Sequence, residues 1–244
     1  IHLTIEEKIQ WVKSAYPFQD IFPWQEDLSE GIDATAFNLS HLIQPLLFLR
    51  VRPGKQNKVQ QQVKSIGHQW INDSCIAVDN TTSLQGVVNI NEDVVIQDRS
   101  SQEVGGVLQK ISLPPHASVW DCCAASGGKS ILATDIFGPI QLSVSDIRSS
   151  ILKNLRGRLM EAGVPVVSAM VKDMTKPIAA PDLNYFDCVI ADVPCSGSGT
   201  WGRTPEQLYF FEHTQINEFA QLQKSILLQA AKGVKPGGYF VYIT

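Results

Sequence analysis

The sequence contains no apolar run long enough to cross a membrane. A membrane-spanning helix needs about 20 consecutive apolar residues, and polar or charged side chains interrupt every apolar stretch of this 244-residue chain well before that length. The N-terminal segment carries early acidic residues and no apolar core followed by a cleavage site, so it lacks the pattern of a signal peptide. We therefore expect no membrane association. Because the chain begins without Met, we also expect that residues precede Ile1.

Cysteine is scarce, and the spacing of the cysteines excludes small proteins stabilised by zinc or by disulfides. The chain has five cysteines, an odd number with uneven spacing, and no two pairs have the separation of zinc ligands. Disulfide scaffolds are shorter and denser in cysteine. We expect a cytoplasmic protein without a metal site. The five positions are Cys75, Cys122, Cys123, Cys188 and Cys195.

Charge is low overall but unevenly distributed. The formal net charge of −4 gives no general argument for nucleic-acid binding. No acidic residue occurs between Asp33 and Asp73, however, so the cations of this segment are unopposed in the sequence. Two interpretations stay open: a local basic face that contacts RNA phosphates, or an ordinary solvated surface. The cations are Arg50, Arg52, Lys55, Lys58 and Lys64.

The first part of the chain has the pattern of a small α+β module, which we assign to residues 1–98. A helix is predicted over 3–15, because Thr4 and Glu7 have the spacing of a capping box. Apolar patterns bounded by Pro and Gly predict further short elements. These are strands over 46–54, 75–78 and 94–97, and a helix over 58–67.

From residue 99 onward, strands alternate with helices, which predicts an α/β domain with a mostly parallel sheet. We assign residues 99–244 to this domain. The first predicted helix, 129–138, follows the Gly-rich turn, and two further helices are predicted over 149–163 and 214–232. The predicted strands cover 117–123, 141–146, 166–173, 186–195 and 237–244.

Acidic residues end four of these strands, and ligands of parallel sheets bind beyond the carboxyl ends of strands. Asp121 precedes a loop of small residues, and Asp146 follows about 20 residues later, where a carboxylate accepts hydrogen bonds from ribose hydroxyls. The spacing fits either a dinucleotide or an S-adenosylmethionine site. A plain tight turn between strand and helix is the alternative. Asp173 and Asp192 end the other two strands.

Cys195 lies in a Gly- and Ser-rich turn directly after a predicted strand, within ADVPCSGSGTWGRTPE. A cysteine in such a turn is exposed and available for chemistry, whereas most cysteines are buried. Cys75 and Cys188 fall within apolar strands and are expected to be buried. Pro194 fixes the backbone before the thiol, and Asp192 lies three residues away.

The motifs DCCAASGGK, DVPCSGSGTWGR and VKPGGYFVYIT, with Asp146 and Asp173 between the first two, resemble the Sun (Fmu-type) family of RNA 5-methylcytosine methyltransferases. The resemblance covers roughly residues 84–244. It implies a class I, Rossmann-like methyltransferase domain preceded by a small RNA-recognition-like module. It also implies S-adenosylmethionine as cofactor, RNA (rRNA or tRNA) as partner, and a monomer that methylates carbon 5 of cytosine through a cysteine adduct.

The same resemblance assigns the site residues. Asp146 would bind the ribose, Asp173 would lie by the adenine, and Asp192 would face both the methionine portion and the target base. Cys195 would assist release of the product, with Asp192 and Lys129 as the other catalytic residues. The expected cofactor-binding residues are Cys123, Ala124, Ala125, Ser126, Gly127, Gly128, Lys129, Asp146, Asp173 and Asp192.

The attacking thiolate of this family belongs to a Thr-Cys at the end of a strand, and the present sequence ends on Thr244. We therefore expect that the nucleophile follows Thr244 and that the 244-residue chain is inactive. Ser126 replaces a usual Pro, with little expected effect, and Cys122 replaces a Leu-like core residue.

Three other functions fit parts of the pattern. A DNA cytosine methyltransferase also uses a Pro-Cys, but there the cysteine is the nucleophile and the motif order differs. A methyltransferase-like RNA-binding scaffold without catalysis would keep the same fold. An NAD-dependent enzyme is disfavoured by the loop pattern and the Pro-Cys turn.

Overall fold

The computed structural model describes residues 21–244 together with Thr4, Glu6, Glu7 and Gln10. The capping box predicted near the start is confirmed: Thr4 N–H donates to Glu7 Oε2 at 2.7 Å, and Glu7 N–H donates to Thr4 Oγ1 at 3.2 Å. The remainder of the helix predicted over 3–15 lies outside the described residues.

The described helices and strands are as follows. The helices are α1 (Ala34–Ser40), α2 (Gln56–Gln62), α3 (Arg99–Leu108), α4 (Gly128–Phe137), α5 (Ser149–Glu161), α6 (Pro205–Phe210) and α7 (Gln215–Ala230). The strands are β1 (Leu47–Val51), β2 (His68–Asn72), β3 (Cys75–Val78), β4 (Val94–Ile96), β5 (Ser118–Asp121), β6 (Gln141–Asp146), β7 (Val166–Val171), β8 (Phe186–Asp192) and β9 (Val234–Ile243). No helix in the described part of the chain is long and apolar enough to cross a membrane.

A five-stranded parallel sheet forms the larger part of the fold, in the order β7-β6-β5-β8-β9. The predicted Rossmann-like α/β class is confirmed. The strand order reverses direction between β5 and β8, and a crevice for ligands opens at such a point. Val119, Leu142 and Ile190 from the central strands are fully buried in the core of this sheet.

A second sheet is antiparallel, in the order β2-β3-β1-β4. Val59 and Val63 pack from α2 and its short 3-10 extension onto Leu49 and Ile76 of this sheet. The α+β character expected before residue 98 is therefore present, with β2 as a strand that was not predicted. The boundary at 98/99 stays a prediction.

The described residues group into two compact units. One contains residues 46–195 and 214–244, which carry both sheets. The other contains residues up to 45 together with 196–213, and its apolar centre is aromatic. In that smaller unit Phe22 contacts Phe37 edge-to-face at a centroid distance of 5.1 Å, and Trp201 is buried beside Phe22.

Four of the five cations in the basic segment form internal ion pairs, and burial removes two of them, Arg50 and Arg52, from the basic face that was one of the two interpretations. Arg50 and Arg52 both pair with Asp135 of α4, at 2.6 and 2.7 Å. The Arg50 and Asp135 side chains are 6% and 5% exposed. Lys55 and Lys58 pair with the buried Asp93 at 3.2 and 2.6 Å. Both acids follow the basic segment by many residues, so the local sequence did not reveal them.

Asp135→Ala should destabilise the chain strongly, because two largely buried arginines would lose the carboxylate with which both pair. Breaking a buried pair by removing one partner costs about 3–5 kcal/mol. Urea unfolding monitored by circular dichroism measures this loss. Glu103→Gln is the matched control, since its pair with Arg99 is exposed and should contribute less than about 1 kcal/mol. Equal losses in the two variants would contradict the role of the buried cluster.

Candidate active site

Three of the four acids singled out in the sequence end strands at one edge of the parallel sheet. Asp121 ends β5, Asp146 ends β6 and Asp192 ends β8, while Asp173 lies two residues beyond β7. Asp121 and Asp192 therefore flank the point at which the strand order reverses. The edge predicted to bind ligands is the edge where the acids gather.

The loop between β5 and α4 has a backbone shape that requires small residues. Gly127 has φ +85°, and a Cβ at this position would lie 2.4 Å from Leu155 Cδ1. Ala125 also has a positive φ, +45°, a conformation that is uncommon for residues other than glycine. Its N–H donates to Asp146 Oδ2 at 3.0 Å. The loop is therefore joined to the end of β6 by a direct hydrogen bond.

Asp146 is buried and fully engaged by its own neighbours. Arg148 donates to its two carboxylate oxygens through N–H and Nε at 2.9 Å and through Nη2 at 3.0 Å. Burial by itself raises the pKa of Asp146, yet the hydrogen bonds from Arg148 and Ala125 outweigh it, and the pKa lies below its usual value. The carboxylate is thus held ionised as a hydrogen-bond acceptor.

Asp173 is half-buried, and its carboxylate accepts hydrogen bonds from a residue two positions later in the chain. Thr175 donates to Asp173 Oδ1 from its N–H at 2.9 Å and from its hydroxyl at 2.7 Å. These two hydrogen bonds lower the pKa of Asp173. Asp173 is therefore a second ionised acceptor at the same edge of the sheet.

Lys129 and Asp192 form the ion pair at the centre of the candidate site. Lys129 Nζ lies 3.1 Å from Asp192 Oδ2. The Lys129 side chain is 10% exposed, whereas that of Asp192 is 35% exposed. Lys129 also donates to Ser101 Oγ. The pair places a cation inside the site and leaves part of the carboxylate open to a ligand.

Asp121 lies beneath this pair and is completely buried. Its Oδ2 accepts a hydrogen bond from Ser130 Oγ at 2.6 Å, whereas its Oδ1 has no hydrogen-bond partner among the described residues. Burial raises the pKa of Asp121 to about 7, despite the opposing hydrogen bond from Ser130. The nearby charge of Asp192 contributes to this rise, and the charge of Lys129 opposes it. Asp121 therefore carries a proton in acidic solution.

The cysteines divide as expected between buried and exposed positions. Cys75 and Cys188 are buried, and burial raises the pKa of Cys188 to about 12. Cys195 is exposed in the turn after β8, and Cys123 is partly exposed in the loop after β5. Cys195 is thus the most accessible thiol of the five.

Several residues that complete the site were not identified from the sequence. Ser101 contacts Lys129, and Gln97 Nε2 donates to Ser101 Oγ at 3.2 Å. Arg148 covers Asp146, and Arg158 Nη1 donates to Ser126 Oγ at 2.9 Å. Only Arg148 had a local signal, since it lies two residues after an acid already singled out.

Asp121 should make the stability of the chain depend on pH. Its pKa is raised from about 3.9 in an unfolded chain to about 7 in the fold, so the folded state holds the extra proton between these values. Stability is then highest, with respect to this group, below about pH 4 and falls as the pH rises through about 7. The stability of Asp121→Asn relative to the parent should rise from pH 5 to pH 8, measured by urea unfolding.

The control for this experiment is Asp187→Asn. The pKa of Asp187 is lowered, because the effect of burial is outweighed by its hydrogen bonds, the first of them from Lys235. The carboxyl is consequently ionised in both states between pH 5 and pH 8. The difference between this variant and the parent should stay constant over that range. A constant difference for Asp121→Asn as well would refute the raised pKa.

The family model described as 16S rRNA methyltransferase RsmB/F matches residues 108–244. A curated relative, the probable ribosomal RNA small subunit methyltransferase B of Bacillus subtilis (strain 168), is 30% identical over 231 residues. The match covers 89% of this chain and 51% of that protein, so the chain spans about half the length of this relative.

Solved structures share the fold of the chain. The crystal structure of PH0851 has a TM-score of 0.78 and 24% identity, with 99% of this chain and 55% of that chain covered. NSun6 from Pyrococcus horikoshii, solved with SFG, has a TM-score of 0.68 and 13% identity, with 92% and 82% covered. These two likenesses concern the fold, whereas the family model extends over more than half of the sequence. The chain therefore belongs to the 16S rRNA methyltransferase RsmB/F family.

Proposed function

We propose that the chain carries the catalytic domain of an S-adenosylmethionine-dependent methyltransferase that modifies carbon 5 of cytosine in RNA. The observation that carries this proposal is the Lys129–Asp192 ion pair, which lies where the strand order reverses. Asp192 of this pair is three residues before Cys195. Membership of a family named for 16S rRNA methylation favours rRNA as the substrate, with tRNA as the other candidate. The activity, the RNA partner, the monomeric state and the cytoplasmic location are all part of the proposal.

The residues present fit S-adenosylmethionine. Cys123, Ala124, Ala125, Ser126, Gly127 and Gly128 form a loop with little side-chain bulk, followed by the first amides of α4. Asp146 supplies an ionised acceptor suited to ribose hydroxyls, and Asp173 supplies another further along the edge. The structure of NSun6 from Pyrococcus horikoshii, solved with SFG, supports S-adenosylmethionine as the ligand of this loop, since SFG is an analogue of S-adenosylmethionine. When bound, the cofactor would supply an electrophilic methyl group.

The protein groups would act on the cytosine. Carbon 5 of cytosine is a poor nucleophile. Addition of a thiolate to carbon 6 turns the base into an enamine whose carbon 5 is electron-rich. Asp192 would hydrogen-bond the base through its exposed carboxylate oxygen, and Lys129 would stabilise the developing charge from within the site. After methylation, a base would take the carbon-5 proton so that the thiolate can leave as the carbon–sulfur bond breaks, and Cys195 would assist this release. The base must leave its stack to reach these groups.

The nucleophile itself is not assigned to a residue of this chain. Residues 1–98 are proposed as the RNA-recognition-like module. The ion pairs of Arg50 and Arg52 argue that this module contacts RNA through other groups.

Asp146→Ala should weaken the binding of S-adenosylmethionine by about 1–3 kcal/mol, the range for removing one partner of a buried polar contact. Isothermal titration calorimetry measures the affinity directly. Arg148→Ala is the matched variant: it removes the group that covers the carboxylate and leaves the carboxylate itself. It should bind the cofactor as well as the parent or better. An unchanged affinity in Asp146→Ala would rule out the ribose assignment.

Cys195→Ala, made in the full-length protein, should cause a covalent protein–RNA adduct to accumulate, because the thiol that assists release is lost. A denaturing gel with labelled RNA measures the adduct. Ser198→Ala, an exposed residue of the same Gly-Ser-rich segment, should leave the adduct at the parent level. If Cys195→Ala abolishes the adduct instead, Cys195 is the nucleophile, and the assignment of roles is wrong.

A further inference from the structure

The last hydrogen bond between β8 and β9 among the described residues lies two residues before Cys195. The parallel pairing runs to Asp192 and Ile243, and Val193 N–H donates to Ile243 O at 3.1 Å. Alternate residues of a parallel strand bond to the same neighbouring strand, so the backbone groups of Pro194 do not face β9. The carbonyl oxygen of Pro194 therefore lies outside this pairing, next to the turn that carries Cys195.

The side chain of Gln223 from α7 forms hydrogen bonds at the ends of both β8 and β9. Its Nε2 donates to Pro194 O at 2.9 Å and to Thr244 Oγ1 at 3.0 Å. Its Oε1 accepts from the Tyr242 hydroxyl at 2.9 Å. A carbonyl oxygen only accepts hydrogen bonds, so the amide orientation follows from the contact with Pro194. Both N–H donors and one acceptor site of the amide are used.

The helix that carries Gln223 is itself firmly placed. Ile226 and Ala230 of α7 are buried against the face of the sheet that contains Val189 and Ala191. A partly exposed glutamine loses rotamer freedom when it is held in one orientation. Three hydrogen bonds to two different strand ends offset that loss. The amide thus links a rigid helix to the turn that carries Cys195.

We propose that Gln223 is a positioning residue, which sets the place of the Cys195 thiol relative to the end of β9 through its hydrogen bond to Pro194 O. The significance of this placement rests on the proposed function, in which Cys195 acts beside the end of β9. Gln223 itself touches neither the substrate nor the cofactor in this proposal. Its effect is transmitted through the Pro194–Cys195 peptide.

The first test uses the 244-residue chain and needs no enzymatic activity. Gln223→Glu keeps the size of the side chain and an acceptor for Tyr242, but it loses both N–H donors and sets a carboxylate against Pro194 O. Alkylation of Cys195 by a bulky maleimide, followed by peptide mass spectrometry, should become about tenfold faster, a ratio equivalent to about 1.4 kcal/mol. Gln223→Ala should act in the same direction, which guards against an effect of the new charge.

The control is Gln221→Glu, because Gln221 is an exposed glutamine of the same helix. Its alkylation rate should match that of the parent. The circular dichroism of all variants should show the same fold at the working temperature. An unchanged rate in both Gln223 variants would overturn the proposal, and so would an equal rise in the Gln221 control.

The second test separates this proposal from the proposed function. In the full-length protein, Gln223→Glu should slow release of the RNA adduct at an unchanged KM for RNA, in partial imitation of Cys195→Ala. Accumulated adduct together with faster alkylation supports both proposals. Faster alkylation with normal release supports the placement of Cys195 by Gln223 and refutes the role of Cys195 in release.

Discussion

Asp135 holds Arg50 and Arg52 in an almost fully buried ion-pair cluster, and this cluster connects the antiparallel sheet to the helix that begins at the candidate cofactor loop. The helix α4 carries Lys129 in its first turn and Asp135 in its last. Any displacement of the antiparallel sheet would therefore move the helix that presents Lys129. Such a cluster is costly to break once formed, so it keeps the two sheets in one arrangement.

A series of side-chain hydrogen bonds connects this cluster to the candidate site. Arg50 Nε donates to Gln97 Oε1 at 2.8 Å, Gln97 donates to Ser101, and Ser101 accepts from Lys129. Lys129 then pairs with Asp192. Each side chain in this series forms a hydrogen bond with the next. An unpaired polar group in the low-dielectric interior would cost free energy of folding. The position of Lys129 is thus determined partly by residues that precede the parallel sheet.

Local patterns in the sequence were sufficient to predict the parallel sheet and the acids at its edge. Strand ends at Asp121, Asp146 and Asp192 follow from apolar runs closed by a polar residue, a signal within a few neighbouring positions. The contacts of Arg50 with Asp135 and of Gln223 with Pro194 join residues far apart in the chain, and they leave no periodic trace. The polar pattern of β2 was also too weak to indicate a strand. What the sequence did not predict is therefore the long-range polar contacts that support the site.

The site gathers four carboxyl groups at one edge, and each is stabilised in a different way. Arg148 and a loop amide compensate Asp146, and Thr175 supplies hydrogen bonds to Asp173. Lys129 neutralises Asp192, and a proton neutralises Asp121 below pH of about 7. Like charges so close would otherwise raise one another's pKa values. The lowered pKa keeps Asp146 an ionised acceptor, while Asp121, whose pKa is raised partly by the charge of Asp192, adds no charge to the site in mildly acidic solution.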